Sequence, residues 1–183
     1  MHGWPGLRSV DLQAFGASIV DHAPTRGWPN TPEMRYPNPA SKEVVPHPYD
    51  DGVLLGMMRS LDHGATAIVS LCRVGTAEPV FDHTAPEDRI DSRLIDSDVA
   101  SENANLHFLL YDAADAVRGL RAEGYTVLLH CVAAQQRTPS VALAYAALLG
   151  RPTAEAAPRI QEELSSTRGC GRVWEAAKQL GHA

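Results

Sequence analysis

Cys131 and Arg137 stand six positions apart and enclose Val132, Ala133, Ala134, Gln135 and Gln136; His130 precedes the thiol and Thr138 follows the guanidinium. Residues of these types at this spacing suit nucleophilic attack by sulfur on a tetrahedral anion. In a strand-to-helix turn the backbone N–H groups curl inward, and the following helix adds unpaired donors and the positive end of its dipole, so the turn is an anion cradle. A thiol on its floor is favoured as the nucleophilic thiolate. A guanidinium at its rim binds two oxygens at once. Pro139 suits the first turn of that helix, where a missing N–H costs nothing.

The elements that must hold this segment are legible on either side of it. Tyr125 to Leu129 reads as a strand running into His130, and Val141 to Leu149 as an Ala/Leu-rich helix closed by Gly150. Upstream, Leu106, Leu109, Leu110, Ala113, Ala114, Val117 and Leu120 recur at helical spacing up to Gly124. Thr66 to Leu71 reads as a short buried strand and Arg89 to Ile95 as another, ending in the acidic loop Asp96-Ser97-Asp98-Val99-Ala100-Ser101. Asp50 and Asp51 suit the cap of a helix carrying Val53, Leu54, Met57, Met58 and Leu61 and stopped by Gly64. Two more helices close the chain, one opened by Thr153 and one carrying Val173, Trp174, Ala177 and Leu180. This order predicts an α/β fold, a central, mainly parallel twisted sheet of four or five strands flanked by helices and covered on both faces.

The chain's 183 residues amount to one domain. Residues 1–48 hold 8 of the 13 prolines together with Trp4 and Trp28, and show neither helical nor strand periodicity. They read as an irregular segment packing on the domain formed by residues 49–183. With 44% hydrophobic and 21% charged residues the composition is that of a globular protein. No apolar stretch is long enough to span a membrane, and MHGWPGLRS lacks the pattern of a secretory signal, so a cytoplasmic location is expected. The formal charge of -6 has the wrong sign for a protein that grips nucleic acid. Cys72, Cys131 and Cys170 are odd in number and widely spaced, which suits reduced thiols better than disulfides or a zinc site.

HCVAAQQRT resembles the His-Cys-x5-Arg-Ser/Thr signature of the cysteine-based protein tyrosine phosphatases. The acidic loop about one helix upstream makes the order similar to that of their compact dual-specificity branch. The similarity runs from about residue 50 to 165, and its specific part is the signature. The resemblance implies hydrolysis of a phosphate monoester, on a phosphorylated protein or a small molecule, through a cysteinyl-phosphate intermediate, with no cofactor and no metal. Cys131 would attack phosphorus. Arg137 and the amides from Val132 to Arg137 would hold the equatorial oxygens, Thr138 would donate to the departing thiolate, and His130 would order the loop. The general acid would be an aspartate roughly thirty residues before the nucleophile. Asp98 lies 33 positions before Cys131 and five before Asn103, and is preferred to Asp96, 35 positions before it.

The chain departs from the signature at Ala134, where the family has glycine; if that position is left-handed, a Cβ there strains it. The pair Gln135 and Gln136 reads as solvated, with inward positioning of the hydrolytic water as the alternative. Cys72 follows a strand that ends near the cradle and is either an inert buried thiol or an oxidation partner of Cys131. A catalytically silent phosphate-binding module is the second functional reading. An arsenate reductase or sulfurtransferase is a third, disfavoured by the motif's position far from the N-terminus.

Overall fold

The computed structural model describes residues 44–73 and 79–180. The irregular segment expected for residues 1–48, with Trp4 and Trp28, lies almost wholly outside the described residues. Its last part is ordered: strand β1, Val45–His47, forms a hairpin with β2, Asp50–Met57. Three further strands, β3 (Ala67–Ser70), β4 (Arg89–Asp91) and β5 (Val127–Cys131), complete a five-stranded sheet in the order β1-β2-β5-β3-β4. All neighbours are parallel except β1 and β2. The fold is therefore the α/β arrangement expected, with a mainly parallel sheet.

The helix expected after Asp50 is instead strand β2. Val53, Leu54 and Met57 satisfy a helical period, but Val53 and Leu55 are fully buried while Leu54 between them is half-buried, the alternation of a strand. Pairing decides the outcome: β2 is laid along β5 from Val53↔Val127 to Met57↔Cys131 and along β1 on its other side. Asp50 caps no helix. Its carboxylate takes two N–H groups of Arg121, the Tyr145 hydroxyl at 2.7 Å and the Gly52 N–H at 3.0 Å. Gly52 leaves the room that the guanidinium occupies, since a Cβ would lie 2.1 Å from the Arg121 guanidinium carbon and displace it from Asp50.

Four helices, α1 (Leu106–Ala122), α2 (Arg137–Leu148), α3 (Thr153–Glu163) and α4 (Arg172–Gln179), pack on one face of the sheet. Leu106, Leu110, Ala113, Ala114 and Val117 form the buried stripe of α1, as their spacing predicts. Helix α2 is buried nearly all round and touches each of the other three helices. The opposite face is covered without an α-helix: Val80 and Phe81, from a single 3-10 turn, pack on Ile68 and Leu128. The expected strand Arg89 to Ile95 is shorter than its residues suggested and ends at Asp91.

Strand β5 lies at the centre, and all five of its residues are buried. The parallel strands deliver their C-terminal ends to one edge, the general place for a site in such sheets. Cys131 ends β5, Cys72 follows the end of β3, and the acidic loop follows β4. Among the described residues no helix is long and apolar enough to cross a membrane.

Candidate active site

The chain leaves β5 at Cys131, makes an irregular turn through Val132–Gln136, and enters α2 at Arg137. Helix α2 has no side-chain cap at its N-terminus. Among the described residues, no acceptor within the protein takes the backbone N–H groups of Val132 to Arg137. Unpaired donors of this kind at a helix start attract an anion. Cys131, where β5 passes into the turn, is buried, at 2% exposure.

Ala134 has φ 52°, so the position occupied by glycine in the signature is left-handed here. An L-residue in that region costs about 1–2 kcal/mol, and the surroundings must hold it. Gln135 is half-buried, and Gln136, at 5% exposure, overturns the reading of both glutamines as solvated. The cause is tertiary. Gly171, just before α4, packs so closely that a Cβ there would meet Gln136 Nε2 at 2.4 Å and Asp98 Oδ1 at 3.2 Å.

Arg137 turns inward and is anchored by one nitrogen. Its Nη1 donates to the Leu71 carbonyl at 3.1 Å and the Leu94 carbonyl at 3.4 Å, tying α2 to the loops after β3 and β4. Its Nε is buried without a hydrogen-bond partner. The nearest anion is Asp96 Oδ2 at 3.8 Å, beyond hydrogen-bond distance. The guanidinium thus keeps an edge for a two-point contact with oxygens.

The two candidate aspartates are placed differently. Asp96 is the charge partner of Arg137. Asp98 Oδ1 accepts the Arg172 N–H at 2.7 Å, which holds it at the start of α4 and beside Gln136. Their loop is pinned by buried Asn103, whose side chain donates to the Ile95 carbonyl at 2.7 Å and accepts the Ile95 N–H at 3.2 Å. Thr138 is wholly buried and its hydroxyl donates to the Gly56 carbonyl at 3.3 Å, facing β2.

His130 lies on the other face of the sheet, edge-on to Phe81, with Nε2 2.7 Å from Ser70 Oγ. Burial pushes this imidazole down to about 4, only partly offset by the Cys131 backbone. It is neutral in the folded protein at neutral pH and takes no proton from Cys131 there. An unfolded chain protonates it near 6.5. Stability is therefore full above that value and falls as the pH drops from 6.5 towards 4, by about 2 kcal/mol at about pH 5. Urea unfolding at a series of pH values should show this slope, and a His130→Asn variant should flatten it. Asp50, held below the ordinary carboxylate range by Arg121 and Tyr145 against the opposing effect of burial, loses its contribution only at lower pH, below 3.8.

Cys72 is buried, one residue beyond the register position opposite Cys131. Burial, and secondarily Cys131, push its thiol up to about 11, so it stays protonated at neutral pH. Cys170 is exposed. Three residues were not singled out from the sequence: Ser166, whose hydroxyl donates to the Ala134 carbonyl at 3.0 Å; Arg168, whose N–H donates to the Gln135 carbonyl at 2.9 Å; and Gly171. No local motif marks them, because they act on the turn from 32 or more positions away.

No family model and no curated protein sequence matches the chain. Solved structures do. Human DUSP28 matches with a TM-score of 0.63 at 17% identity, over 78% of this chain and 95% of that one. A mouse putative dual specificity phosphatase complexed with zinc tungstate gives 0.62 at 15% identity, over 78% and 88%. The PTP-2 phosphatase of Cydia pomonella gives 0.58 at 17% identity, over 75% and 89%. In its five-stranded, mainly parallel sheet and its helices, this chain has a fold like that of the dual-specificity phosphatases among the cysteine-based protein tyrosine phosphatases.

Proposed function

We propose that the protein is a phosphatase that hydrolyses phosphate monoesters through a cysteinyl-phosphate intermediate. The observation that carries this reading is the geometry at one turn: buried Cys131 opens a turn whose backbone N–H groups are free, and Arg137 at its end points inward with its Nε buried and unpartnered. The likeness of fold to phosphatases, one of them complexed with zinc tungstate, supports it. The anion occupies the turn, with its equatorial oxygens on the amides of Val132 to Arg137 and on the free edge of the guanidinium. The Cys131 thiolate attacks phosphorus in line, forming the S–P bond as the bond to the leaving oxygen breaks. Water then cleaves the S–P bond and releases inorganic phosphate.

Asp98 protonates the leaving oxygen. Its Oδ1 is fixed by the Arg172 N–H, which leaves Oδ2 to carry the proton. Asp96, by contrast, neutralises Arg137 and must yield that place to the substrate. Thr138 serves the departing thiolate by giving up its long 3.3 Å bond to Gly56. His130, neutral and bonded to Ser70, orders the end of β5.

Release of nitrophenol from p-nitrophenyl phosphate in EDTA tests the reading. A protein that binds tungstate or phosphate and releases none is the silent binding module. Arsenate reduction with thioredoxin and negligible phosphatase activity would instead select the reductase. Asp98→Asn should lower kcat by about 10² to 10⁴ and remove the basic limb of the pH profile, while Asp96→Asn keeps that limb. The reverse pattern would make Asp96 the acid.

A further inference from the structure

The anion-binding turn is held from outside by a short segment between α3 and α4, and this inference rests on the reading of that turn given above. For the Gln135 N–H to face an anion, the Ala134 carbonyl in the same peptide unit must face away, where a partly buried acceptor needs a donor. Ser166 supplies it through its hydroxyl at 3.0 Å. Two residues on, the Arg168 N–H takes the next outward carbonyl, that of Gln135, at 2.9 Å. Ala134 lies in the left-handed region at φ 52°, which an alanine leaves readily when nothing holds it. Relaxation there rotates the 134–135 peptide, aims a carbonyl oxygen at the anion, and withdraws one N–H from it.

We propose that Ser166 is a positioning residue for phosphate binding: its hydroxyl fixes the Ala134 carbonyl outward and so sustains, in a turn that carries alanine, the conformation a glycine adopts freely. Ser166 touches neither the substrate nor Cys131 in this role. It acts through the orientation of one peptide bond. The dependence is conditional on residue 134, and that separates it from ordinary packing: glycine there removes the strain that drives the peptide to turn.

The test is calorimetric titration of the full chain with tungstate, for wild type, Ser166→Ala, Ser166→Thr, Ala134→Gly and the Ala134→Gly/Ser166→Ala pair. Thermal unfolding and p-nitrophenyl phosphate kinetics accompany each. Ser166→Ala should weaken tungstate binding roughly 3- to 10-fold, the worth of one net hydrogen bond, with a parallel rise in KM. Ser166→Thr, which keeps the hydroxyl, should restore it. In the Ala134→Gly background the loss should shrink to less than about two-fold, the signature of coupled sites. Unchanged tungstate affinity in Ser166→Ala overturns the proposal, whether or not its melting temperature falls, and so does an equal loss in both backgrounds. Wild-type protein that binds tungstate but hydrolyses nothing refutes the phosphatase reading and leaves the affinity comparison decisive. Wild-type protein that binds no tungstate overturns both.

Discussion

Cys131→Ser should stop turnover while leaving tungstate bound. Serine is the smaller side chain and adds no bulk, and the turn's amides and Arg137 are untouched by the exchange, so the affinity for an oxyanion should stay within a few-fold of wild type. The serine hydroxyl gains no base from the adjacent His130, whose ring lies on the far face of the sheet, bonded to Ser70. A loss in kcat on the order of 10³ to 10⁶ is expected, as for other enzymes stripped of their nucleophile. Rapid quenching of the wild-type reaction should yield a Cys131 peptide bearing one added phosphoryl group, and the variant none. A serine variant that retains full activity would refute the covalent route and point to direct attack by water.

The second large effect separates charge from geometry at Arg137. Its Nη1 is spent on the Leu71 and Leu94 carbonyls, and its Nε is buried with no partner, so one side chain ties the site together and keeps an edge for the proposed anion. Arg137→Ala should lower kcat/KM by about 10³ to 10⁵, the range for removing a guanidinium from a phosphoryl-transfer site. It should also abolish tungstate binding, which Cys131→Ser does not. Arg137→Lys keeps the charge but not the fork, because an ammonium cannot span two carbonyls and two oxygens at once. It should recover less than a tenth of the lost activity. A lysine variant near wild type in both measurements would show that Arg137 acts as a point charge alone.

Where the sequence could be read, the reason was contiguity. The end of β5, the turn and the start of α2 form one uninterrupted run, and each part carries a local signal: buried apolar residues, a thiol and guanidinium at fixed spacing, and a proline in the first helical turn. The helix stops at Gly124 and Gly150 were legible for the same reason, since both have positive φ just past the ends of α1 and α2. Strand β2 was not, because Val53 and Met57, four apart, satisfy both periods and Leu54 favours the helical one; only β1 and β5 on either side of it make a strand the answer. Gln136 carries no mark of its burial, which is imposed by the close approach of Gly171 from the start of α4.

What the amino-acid order determined by itself was the identity and spacing of the groups that could do chemistry, and a parallel-biased sheet to carry them, because these depend on neighbours along the chain. What only the tertiary structure decided was how those groups are used. Asp96 faces Arg137 and Asp98 the first N–H of α4, although the two stand on one loop. The peptide after Ala134 is fixed by a hydroxyl 32 residues away. Both outcomes are set by contacts between segments that meet only once the sheet and its helices have packed, and side-chain direction at such a meeting has no counterpart in local periodicity.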